Sequence, residues 1–161
     1  MNKASQAQFR IKAPNSLARA IKVIALDRAS EKSLLRAAQK KWNGTSFLTA
    51  SSFSGLCSDN RFSNEWLTDL AGRARDLVRE IEGSDSVIMV GTAGHDLSCG
   101  ALIGEVCSLN HVLATGLILG DRNRGGAQLT RALAALRQHV IMLVATSDEG
   151  YLEDMLAWLK A

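Results

Sequence analysis

The stretch "VIMVGTAGHDLSCGALIGEV", residues 87–106, decides the fold. Val87 to Val90 form an apolar run of strand length, and Gly91 to Asp96 break it with turn formers. From Leu97 the pattern becomes helical. A strand that passes through a glycine turn into a helix is the building unit of a parallel sheet, because parallel neighbours need a crossover connection. Such a turn is also where α/β proteins hold anions, against the exposed N–H groups of the helix start. This one carries only two glycines, Gly91 and Gly94, and ends on an acid, Asp96.

The same unit recurs outward in both directions. "AIKVIAL" (20–26) reads as a strand buried on both faces. Asp27 to Ser30 end it, and "EKSLLRAAQKKW" (31–42) follows with Leu34, Leu35, Ala38 and Trp42 at helical spacing and Ser30 as N-cap. "TSFLTA" (45–50) is a second strand, and residues 51–63 are rich in turn formers. The apolar stripe of residues 64–82 predicts one amphipathic helix with an Asn64 cap and a Gly83 stop. Strands at 86–91, 112–119 and 140–146 then alternate with helices at 97–110, 125–138 and 150–159. The predicted fold is α/β: three layers, α/β/α, Rossmann-like, around a mostly parallel sheet of about five strands.

The 161-residue chain predicts one domain over residues 20–161 behind a basic, partly ordered leader over 1–19. No apolar stretch reaches the ~18 residues of a membrane span, and the leader lacks the apolar core of a secretory signal. A cytoplasmic protein is expected, with an organelle address as the minor option. Cys57, Cys99 and Cys107 are odd in number and show no metal-ligand spacing, which predicts reduced thiols and no structural zinc. The net charge of +3 is asymmetric: residues 1–42 carry ten Lys/Arg against Asp27 and Glu31. No aromatic residues interleave with these cations as a single-strand-binding surface would want. A nucleic-acid partner is not expected, and self-association or a protein partner is.

Several segments resemble the nucleotide-binding half of FtsZ, the bacterial tubulin-like division GTPase. "IKVIAL" (21–26) with its helix and "TSFLTASS" (45–52) are similar to that family's opening. "ARDLVREIEGSDSVIMVGTAG" (74–94) resembles its helix, acidic-glycine turn and strand ending in TAG. "CGALIGEVCSLNHVLATGLILG" (99–120) and "RNRGGAQLTRALAALRQHVIMLVATSDEGYLEDML" (122–156) resemble the segments after the glycine signature. The resemblance is collinear over about residues 20–156 and implies GTP or GDP as ligand. Where the family cradles phosphate with GGGTG[ST]G, this chain has Gly94-His95-Asp96-Leu97-Ser98-Cys99-Gly100. Its first glycine turn is replaced by Asp27-Arg28-Ala29-Ser30. The resemblance with these departures implies a truncated domain without GTPase activity, acting in binding, regulation or assembly, with weak nucleotide binding left open.

A second reading is a small α/β enzyme or ligand-binding protein. Cys99 in the first helical turn gains from the helix dipole and is a candidate nucleophile, although no G-x-S-x-G elbow is present. Asp27, Asp96 and Asp121 follow strand ends, where open α/β sheets gather ligands. They form either an acidic rim or simple turn and cap residues, Asp96 being an expected N-cap. Arg122 and Arg124 precede a helix and suit an anion. The candidate ligand-binding set is therefore Gly91, Gly94, Asp96, Ser98, Cys99, Gly100, Asp27, Asp121, Arg122 and Arg124, with no metal.

Overall fold

The protein is described by a computed structural model covering residues 20–51, 67–120, 126–148 and 150–159. The leader over 1–19, the loop at 52–63 and the Asn64 cap lie outside the described residues. In chain order the elements are β1 (Ile21–Ala25), α1 (Arg28–Ala38), β2 (Thr45–Thr49), β3 (Leu67–Asp69), β4 (Ala74–Arg75) and α2 (Leu77–Glu82). They continue with β5 (Ser86–Thr92), α3 (Cys99–Leu109), β6 (Leu113–Leu119), α4 (Gly126–Arg137), β7 (Met142–Thr146) and α5 (Tyr151–Trp158).

All strands join one sheet in the order β4-β3-β2-β1-β5-β6-β7. The five strands β2, β1, β5, β6 and β7 run parallel, with Val23 opposite both Phe47 and Ile88, and Ile88 opposite Thr115. These five match the expected strands. By chain order among themselves they stand 2-1-3-4-5, one of the two common doubly wound arrangements.

Alternating residues feed two apolar layers. Ile24, Val87, Met89, Ala114 and Ile118 point to the face covered by α2, α3 and α4. Ile21, Val23, Ile88, Val90 and Leu117 point to the face covered by α1 and α5. Being buried on both sides is why these strands read as continuous apolar runs instead of alternating ones. Each such Val, Leu, Ile or Met side chain contributes roughly 1.5–3 kcal/mol on full burial. Between the helices of the second layer, the buried Glu153 of α5 lies 3.5 Å from Arg36 Nε of α1 and 3.6 Å from Lys40 Nζ, just past the end of α1.

Two expectations are corrected. The sheet has seven strands, because residues 67–75 form an antiparallel hairpin on the β2 edge where one long helix was expected. The Asp69 side chain accepts from Ala71 N and Arg73 N, both at 2.9 Å, and Gly72 sits at φ +85°. That is a tight turn followed by a left-handed residue, a common hairpin closure. The ring of donors around Asp69 holds its carboxyl below the usual range, the Arg73 main-chain bond being the largest cause. Asp76 then starts the short α2 by accepting from Val78 N and Arg79 N, and Gly83 stops it as expected. The second correction is the start of α1. Its N-cap is Asp27, not Ser30, so the helix begins earlier than its apolar stripe.

Helix α3 lies close to its neighbours through Gly100. A β-carbon there would collide with Leu136 Cδ2 of α4 and come within 3.2 Å of Leu26 Cδ1. A Gly100→Val variant therefore overpacks this contact. The expected cost is about 1–3 kcal/mol, read as a Tm lower by roughly 2–12 °C in calorimetry.

Candidate functional site

In an open parallel sheet, ligands bind outside the carboxyl ends of the strands, at the point where successive connections leave on opposite faces. Here that point lies between β1 and β5, since α1 and α3 cover different faces. A cleft of about 520 Å³ opens at this edge on the α1 side. Its lining includes Lys32, Ser33 and Arg36 of α1, Thr92 at the end of β5, Gly120 after β6 and Ser147 after β7. Lys32 and Arg36 are one helical turn apart and so share a face. Hydroxyls and the Lys32 ammonium make this lining suited to an anionic group, while the Arg36 guanidinium is paired with Glu153.

Beneath the cleft, the Asp27 carboxylate is buried, at 5% exposure. Oδ1 accepts from Ser30 N at 2.8 Å, and Oδ2 accepts from Thr92 N at 2.6 Å. Ser30 Oγ donates back to the Asp27 carbonyl at 2.9 Å. One side chain thus caps α1 and ties it to the end of β5. One turn on, Glu31 does the same toward β2, accepting from Thr49 Oγ1 at 2.7 Å and from Ser51 Oγ. Negative charge at a helix start is favourable, and here it is supplied by the chain itself.

The Gly91–Gly100 loop is built for packing. A β-carbon at Gly91 would lie 2.6 Å from Leu97 Cδ2, so the buried Leu97 closes over the strand end. His95 N bonds Thr92 O at 3.2 Å, and Gly94 sits at φ +89°, as the third position of a type II turn demands. Asp96 is exposed and accepts from Ser98 N at 3.0 Å. The N-cap position belongs to Ser98, so Asp96 is not the expected N-cap but organises the turn two residues before it.

Cys99 is buried on the α4 side of the sheet and is disulfide-bonded. This corrects the expectation of reduced thiols, and in this state Cys99 carries no thiolate to act as nucleophile. Cys107 is free and buried, and burial pushes its thiol up to about 11.

The structure therefore bonds Asp27 to Thr92 of the cleft lining but keeps Asp27, Asp96 and Cys99 themselves out of that lining. Asp121, Arg122, Arg124 and Cys57 lie outside the described residues. Lys32, Ser33, Arg36 and Ser147 were missed. Their signal was available: Ser147 directly follows a strand, and Lys32 and Arg36 recur at helical spacing behind the first one. Among the described residues no group of three His, Cys, Asp or Glu side chains could hold a metal, and no helix is long and apolar enough to cross a membrane. No protein-family model matches the chain, and no curated protein matches it significantly.

Two outcomes follow from this geometry. Asp27→Ala strands two main-chain N–H groups and should cost about 2–4 kcal/mol in denaturant unfolding, with Asp27→Asn, which keeps one acceptor, falling between. Cys107, with a folded pKa raised from 9.0 to about 11, favours the folded state at lower pH. That contribution is lost as pH rises from about 9 through about 11. A Cys107→Ala variant should show a shallower loss of stability over the same window.

Proposed function

We propose that this chain is an FtsZ/tubulin-like domain without GTPase activity, working as a binding, regulatory or assembly module. The observation that carries the reading is the buried Asp27 carboxylate. It accepts the Ser30 and Thr92 N–H groups at the first strand-to-helix turn, where the family's glycines would bring N–H groups onto phosphate. Exposed Asp96 adds a second negative charge beside the start of α3. A triphosphate fits these residues poorly, because two carboxylates stand where its oxygens would need donors. No hydrolytic step is assigned to the site.

The cleft over Asp27 favours a second reading, a module that takes a small anionic ligand. Lys32 supplies the charge, and Ser33, Thr92 and Ser147 supply polar contacts, with Arg36 shared with Glu153. Thermal shift separates the readings. A ligand at about 100 times its Kd stabilises by about 2.7 kcal/mol, a rise of roughly 5–11 °C for a chain of this size. GTP, GDP and ATP should each leave Tm unchanged. A GTP-specific rise of that size with a micromolar Kd overturns the first reading. For the second, a rise with inorganic phosphate that Lys32→Glu abolishes supports it, and its absence sinks it.

A further inference from the structure

At the opposite edge of the sheet, a groove of about 1060 Å³ runs between the N-terminal ends of β1, β5, β6 and β7 and the last turns of α5. Its apolar lining is open to solvent: Leu113 is 56% exposed, Ile141 69%, Met142 49% and Trp158 88%. An apolar surface of this kind marks a contact site. Asp85 and Asp154 stand on its lining, giving it negative charge.

The chain enters β1 at this groove. Ala20 N donates to Asp85 Oδ2 at 2.9 Å, Asp85 N donates to the Ala20 carbonyl at 2.7 Å, and Ile21 lines the groove. Residues 1–19, outside the described residues, carry four Lys/Arg and no acid. Within them Phe9-Arg10-Ile11-Lys12 alternates apolar and basic residues, the period at which an extended segment places apolar side chains on one face and cations on the other. We propose that this segment, Phe9 to Lys12, docks in the groove, with Phe9 and Ile11 on the apolar floor and the cations toward Asp85 and Asp154.

Length permits it. Crossing from β1 to β7 takes three strand spacings, about 14 Å, and the ten residues Arg10–Arg19 span up to ~33 Å when extended. Tethering the segment beside its site makes docking intramolecular, which strengthens binding without any added contact. Individually weak contacts then suffice.

The test uses the full chain carrying photoreactive benzoylphenylalanine in place of Phe9. Irradiation should yield a cross-link at monomer mass, mapped by mass spectrometry to the peptides around Ile141–Met142 or Met155–Leu159. Asp154→Lys, a change at an exposed residue, should lower its yield about threefold, the scale of one surface ion pair. Circular dichroism of both variants confirms an unchanged fold. Cross-links that map elsewhere, that run at dimer mass because a second copy fills the groove, or that are unaffected by Asp154→Lys overturn the proposal.

Discussion

One buried carboxylate at the C-terminal edge of the sheet joins the end of β1, the first turn of α1 and the end of β5. Asp27 satisfies two main-chain donors that would otherwise be stranded in a site with little access to water. A buried charge is tolerable only with such bonds, and they fix where the helix starts relative to its neighbouring strand. Glu31 repeats the device toward β2, so both flanks of the central strand are pinned from one helical turn. The placement of α1 against the ends of β5 and β2 rests on this arrangement.

The two edges of the sheet consequently differ in character. The C-terminal edge is polar, and much of its hydrogen-bonding capacity is spent internally, leaving a modest cleft with cations on its wall. The N-terminal edge keeps a larger apolar groove because α5 is short and β7 is an edge strand, so the starts of β6 and β7 lack full cover.

The parallel strands and most helices were legible because burial on both faces imposes continuous apolar runs, and helices between them repeat near 3.6 residues. Residues 67–82 misled for a definite reason. Leu67, Leu70, Ala74, Leu77 and Ile81 fit a helical stripe, yet Asp69 and Gly72 carry the turn chemistry that folds the first part into a hairpin. The stripe outweighed two residues whose effect is local and stronger. The site was half legible: Asp27 and the Gly91–Gly100 loop lie at the functional edge, but the side chains facing the cleft come from α1 and from the residue after β7.

Sequence alone determined the α/β class, the parallel crossovers and the acid at each strand-to-helix turn, since periodicity and turn chemistry are properties of neighbouring residues. Tertiary structure decided what those acids do. Whether Asp27 faces a ligand or an N–H group depends on the end of β5, 65 positions away in the chain. Whether Gly100 receives a ligand or a leucine depends on α4. Such contacts arise only when separate elements pack, and no local pattern encodes them.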